Sequence, residues 1–156
     1  MPSMYVNVPK LEQGTKDALA AKLYDAAAPI LKAPHIYTFV NEYETLYENG
    51  QPAPQKMVVA NIEAGPTKEE KVNALAESMQ AAVQEVLGED KKLTLVFHDN
   101  GLDRIAIGGV TPDNIPEFRR KICAIAAEFY ADETHISPLD LDCAVTPEML
   151  TIPEIK

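Results

Sequence analysis

The chain has 156 residues, enough for one domain that buries roughly 70% of the surface its unfolded form exposes. Hydrophobic residues make up 46% and charged residues 24%, which excludes a disordered or collagen-like chain. The net charge is −10 and arginine occurs only at Arg104, Arg119 and Arg120, so the overall field repels phosphate backbones and anionic membranes, and neither is expected as a partner.

Residues 2–8 alternate as a short strand. Residues 15–32 then place Leu19, Leu23, Ala26, Ala27, Ile30 and Leu31 on one helical face, with Pro29 in the last turn expected to bend or end the helix. A second strand follows at 35–42. The same order returns with a strand at 57–62, a helix from Thr67 to Leu87 carrying Val72, Leu75, Met79, Val83 and Val86, and a strand at 93–99. Thr67 and Glu70 have the spacing of a capping box.

Each half is thus a β-α-β unit. Superposing them pairs Thr15 with Thr67, Leu23 with Leu75, Leu31 with Leu87, and Asn41-Glu42 with His98-Asp99. Two units are too few for a solenoid, so they must pack as a pseudo-twofold pair. The fold class expected is α+β, a four-stranded mixed sheet with two helices on one face. The other face would carry Tyr37, Phe39, Asn41, Thr94, Val96 and His98, too apolar in part to stay in water, which argues for association of subunits through it.

Residues 101–110 read as a hairpin or short strand with a double-glycine turn. Asn114 and Glu117 then open a third amphipathic helix with Phe118, Ile122, Ile125 and Phe129 on its buried stripe, and the proline-punctuated end reads as an extended arm. The expected organisation is a single domain over 1–156, with units at 2–50 and 56–110 and an addition at 111–156.

Cys123 and Cys143 cannot form a disulfide framework, and His35, His98 and His135 stand apart from any zinc spacing. A reduced, cytoplasmic, metal-free protein is expected, without a signal peptide or a membrane span.

The Met-Pro start leads directly into a strand, so loss of Met1 leaves a secondary amine at Pro2. Together with the duplicated β-α-β pattern, the sequence resembles the tautomerase superfamily of 4-oxalocrotonate tautomerase, macrophage migration inhibitory factor and cis-3-chloroacrylate dehalogenase. The second unit, from Lys56 through KMVVANIEAGPTKEEK to DRIAIGG, is similar to one whole 4-oxalocrotonate tautomerase subunit, with its Ile107-Gly108-Gly109 hairpin. LKAPHIYTFVNE at 31–42 is similar to the matching segment of the migration-inhibitory-factor branch. The resemblance covers about 2–110.

It implies a homotrimer in which Pro2 is a general base or acid, working without a cofactor on a small carbonyl or enol substrate. An apolar, desolvated site would disfavour the charged amine and bring it toward neutrality. The pattern also departs from the family. Lys56 stands at the proline position of the second unit, Gly14 and Pro66 at one arginine position, Tyr37 and Thr94 at the other, and Ala28 at the dehalogenase histidine. Ile105 keeps an apolar wall before Ile-Gly-Gly. Hydrolytic dehalogenation and dicarboxylate substrates are accordingly disfavoured.

The remaining polar candidates for substrate binding are Lys32, Tyr37, Asn41, His98 and Arg104. Lys32 falls where the resemblance implies a carboxylate-binding lysine, and it equally suits a solvated cation favoured by a helix C-terminus. A Tyr37 hydroxyl could donate to an enolate oxygen, whereas Tyr37 and His98 also suit packing at a subunit interface. Arg104 suits either closure of a neighbouring site or an exposed ion pair. The leading expectation is a tautomerase acting on a small oxo-acid or enol. The alternative is a tautomerase-like scaffold without that activity, used for small-ligand binding or assembly.

Overall fold

Strand β1 (Ser3–Val8) alternates strictly, with Met4, Val6 and Val8 buried and Ser3, Tyr5 and Asn7 on the other face. Strand β5 (Met57–Ala64) repeats the device with Val58, Ala60, Ile62 and Ala64. A period of two sends one full set of side chains to each face of a sheet. The computed structural model describes residues 2–33, 36–65, 67–100 and Arg104. The chain divides into two units, Met1–Ala64 with Glu69–His98, and Gly65–Lys68 with Asp99–Lys156.

In the first unit the sheet order is β2 (Tyr37–Glu42), β1, β5, β6 (Lys92–Asp99), the last strand ending one residue beyond the unit. β1 runs parallel to β2, with Ser3 opposite Tyr37 and Asn7 opposite Asn41. It runs antiparallel to β5, with Ser3 opposite Glu63 and Asn7 opposite Val59. The Lys92 N–H donates to the Lys56 carbonyl at 2.9 Å, and the His98 imidazole lies 4.0 Å from the Glu63 carboxylate. Numbers therefore rise together along β5 and β6, which makes that pair parallel too. The result is the mixed, pseudo-twofold sheet expected from the repeat.

Helices α1 (Gln13–Leu31) and α2 (Glu69–Leu87) pack against each other over the even-numbered strand residues. Leu19, Leu23, Ala27 and Leu31 of α1 and Leu75, Met79, Ala82 and Val83 of α2 complete one core with the strand residues. Spacing at three and four residues is what a helix needs to bury a stripe. Pro29 ends nothing on its own. α1 runs two residues further and stops at Lys32, whose left-handed conformation (φ 46°) lets its N–H donate to the Ala28 carbonyl at 2.9 Å.

One local expectation fails, and one element goes unpredicted. Thr67 does not cap α2: its hydroxyl donates backwards to the Gly65 carbonyl at 3.0 Å, and the helix begins at Glu69, where Glu69 and Glu70 complement the helix dipole. Between the repeats lies an unexpected hairpin, β3 (Leu46–Glu48) against β4 (Gln51–Ala53). Its two-residue turn, Asn49-Gly50, has positive φ at both positions (51° and 79°), the geometry that matches strand twist and that Asn-Gly adopts most readily. The hairpin expected at 101–110, the third helix, the terminal arm, His35, Ile105 and both cysteines lie outside the described residues.

The end of β2 is tied to the start of α1 by Glu42. Its carboxylate accepts from the Lys16 ammonium at 2.9 Å and from the Leu11 N–H at 3.2 Å. The Lys16 hydrogen bond, followed by the Leu11 N–H, holds the Glu42 carboxyl below its ordinary range. A carboxyl more acidic when folded stabilises the fold above its unfolded-state value, and that contribution disappears as pH falls through the folded-state value. Glu42→Gln should therefore lower the thermal midpoint slightly near about pH 7, by an amount that shrinks as pH falls toward about 3. Thermal unfolding of both proteins at the two pH values checks this, and an equal gap at both would assign the effect to something other than charge.

Candidate functional site

Pro2 precedes β1 and is buried. Its carbonyl accepts the Tyr37 N–H at 3.1 Å, so the heads of β1 and β2 are joined there. Because β1 and β2 are parallel, α1 must run back between them, and its C-terminal residue Lys32 comes to the same end of the unit as Pro2 and Tyr37. Lys32 is half-buried.

The other candidates are spread more widely. Across the sheet, Tyr37 faces Ser3, Ser3 faces Glu63, and Glu63 meets His98. His98 is thus level with Tyr37 but three strands away, about 14 Å at ordinary strand spacing. Asn41 lies four residues along β2, about 13 Å from Tyr37, opposite Asn7 at the far end of the strand. Arg104 is exposed and belongs to the second unit. The structure brings together Pro2, Tyr37 and Lys32, sets His98 across the same end, and separates Asn41 from them.

The face that carries Tyr37 and His98 is the one left bare by the helices. Tyr5, Tyr37, Phe39 and Val96 on it are between 39% and 49% exposed, as the alternation of β2 and β6 predicts. Tyr5 and Phe39, direct neighbours in register, stack with ring centroids 4.9 Å apart and planes 9° from parallel. Among the described residues no group of three or more His, Cys, Asp or Glu side chains is gathered to hold a metal ion. Also among them, no helix is long and apolar enough to cross a membrane.

The backbone corrects the strand correspondence between the repeats, for Tyr37 with Thr94 and equally for Asn41-Glu42 with His98-Asp99. Lys92 N–H meets Lys56 carbonyl as Tyr37 N–H meets Pro2 carbonyl. Lys56 therefore occupies the position of Pro2, as expected, while the counterpart of Tyr37 is Lys92 and that of Thr94 is Phe39. Parity could not expose this two-residue slip, because residues 92 and 94 point to the same face. Sequence reasoning also passed over Tyr43, whose hydroxyl donates to the Met57 carbonyl at 2.8 Å and whose burial pushes the phenol above its ordinary range. No local pattern marks that bond, which joins residues 14 apart in sequence.

No model of a known protein family matches the chain, and no curated protein matches it. Solved structures do. A fused 4-OT solved as a wild-type symmetric trimer is 21% identical, with a TM-score of 0.63, over 70% of this chain and 94% of that one. Macrophage migration inhibitory factor of Toxoplasma gondii is 18% identical, with a TM-score of 0.56, over 70% of this chain and 98% of that one. A domain of unknown function, DUF1904, from Sebaldella termitidis is 19% identical, with a TM-score of 0.58, over 71% of this chain and 99% of that one. Each of those chains is covered almost whole, and this chain has the same fold as fused 4-OT and macrophage migration inhibitory factor.

Proposed function

We propose that the protein is a cofactor-independent tautomerase acting on a small oxo-acid or enol, with Pro2 as general base and acid. The observation that carries this reading is the burial of Pro2 at the head of β1, with Tyr37 fixed beside it. Once Met1 is removed, burial disfavours the secondary ammonium and leaves a neutral amine able to take a proton. In ketonisation the Pro2 nitrogen takes the proton of the enol O–H. The electron pair left on oxygen forms the C=O bond, the C=C pair accepts a proton back from nitrogen, and no oxidant or reductant takes part. The Tyr37 hydroxyl donates to the enolate oxygen, and Lys32 holds the substrate carboxylate.

A second reading, a tautomerase-like scaffold without this activity, draws on the residues standing at the arginine positions: Gly14, Pro66, Tyr37 and Thr94 by sequence, with Phe39 and Lys92 as their backbone counterparts. Intact mass separates the two first, since a retained Met1 acylates the Pro2 nitrogen and removes the base.

In Met1-free protein, Pro2→Ala should abolish ketonisation of phenylenolpyruvate, while Lys32→Ala should mainly raise KM. Steady-state kinetics on both variants checks this. Undiminished turnover in the Pro2 variant would move the chemistry to another group.

The bare sheet face, with its stacked Tyr5 and Phe39, needs a cover, and a homotrimer provides it. Light scattering should return three times the 17.1 kDa chain mass. A monomer at micromolar concentration would refute the assembly.

Substrate charge gives a further check. With Lys32 as the cation at the Pro2 end of the sheet, a second carboxylate would lack a partner and cost several kcal/mol to desolvate. Monoacid enols should turn over faster than dicarboxylates in a panel assay, and the reverse order would reveal a cationic group not included here.

A further inference from the structure

The pseudo-twofold that places Pro2 at one end of the sheet places Lys56 at the other. There the Lys92 N–H holds the Lys56 carbonyl at 2.9 Å, and the half-buried Tyr43 hydroxyl holds the next carbonyl, that of Met57, at 2.8 Å. The β3–β4 hairpin stands over this end. Between the hairpin and the heads of β5 and β6 lies a groove of about 450 Å³ lined by Leu46, Tyr47, Pro54, Met57, Lys56 and Lys92. Small-ligand sites combine such an apolar lining with a few convergent polar groups.

The charges in the groove are specific. Two lysines and one carboxylate, Glu48, line the groove, which leaves one net positive charge on its lining in a chain of net charge −10. The nearby Asp90 carboxylate is hydrogen-bonded by Lys91 at 3.1 and 3.3 Å and also feels the Lys56 charge, more weakly. Among the described residues neither Lys56 nor Lys92 forms an ion pair with a carboxylate. Tyr47, at 62% the most exposed large hydrophobic residue of the described chain, offers a flat apolar surface beside them.

We propose that this groove is a second binding site, for a small monocarboxylate with an apolar body. The carboxylate would bridge Lys56 and Lys92, and the body would lie on Tyr47, Pro54 and Met57. Glu48 would turn away a second negative charge. The site has no part in the proton transfer assigned to Pro2 and stands whether or not that assignment holds.

Phenylacetate is a suitable probe, titrated into Pro2→Ala protein and followed by amide chemical shifts, so that turnover plays no role in the readout. The shifts should centre on Tyr47, Met57 and Lys92, and the neutral analogue 2-phenylethanol should bind at least about tenfold more weakly, since hydrogen bonds to charged groups are the stronger ones. The Lys56→Gln, Lys92→Gln double variant should lose about tenfold in affinity, with Lys10→Gln as the control that keeps it. Both lysines are exposed, so the double variant should keep the parent thermal midpoint. Shifts centred on Tyr37, equal binding of the alcohol, or an undiminished double variant would each overturn the proposal.

Discussion

The antiparallel pairing of β1 with β5 is the contact on which the rest of the structure depends. Each β-α-β repeat by itself is two parallel strands with one helix, and neither can bury both its sheet face and its helix stripe. Joined through Ser3 to Glu63, Tyr5 to Asn61 and Asn7 to Val59, they become one four-stranded sheet on which both helices share a single core. A slip of one residue at this seam would turn Met4, Val6 and Val8 to the open face. The register is therefore enforced by burial, and with it the positions of everything at the two ends of the sheet.

The same seam explains why the two equivalent strand heads lie at opposite ends of the sheet. Antiparallel central strands place the head of β1 and the head of β5 at opposite edges, and each outer strand then begins beside the head of its own partner. Pro2 meets Tyr37 at one edge and Lys56 meets Lys92 at the other by equivalent backbone hydrogen bonds. One topological position is duplicated, and the side chains placed there differ.

Much of this was legible in the sequence because it rests on periodicity. Alternation in β1, β2, β5 and β6 and the stripes of α1 and α2 report burial directly, and burial is what those elements are for. The bare face was legible for the same reason. The Asn49-Gly50 hairpin carried a local signal that the repeat pattern overshadowed. Periodicity is blind to shifts of two residues in a strand, which is why Tyr37 was matched to Thr94 and not to Lys92. Thr67 shows a different limit. A hydroxyl with the spacing of a cap can satisfy itself on a nearer carbonyl, here that of Gly65, and composition gives no means of choosing between them.

Burial separates the two sheet ends more sharply than residue type does. Pro2 is short, ring-closed and buried, so a free amine there would lose the hydration that favours its charged form. Lys56 in the same backbone position is exposed, and its four-carbon stem lets the ammonium reach water. Hydration favours the charged form that attracts anions, and desolvation the neutral form that accepts a proton. A duplicated strand head thus has two physical outcomes within one sheet: an enclosed one at Pro2 and a hydrated one at Lys56.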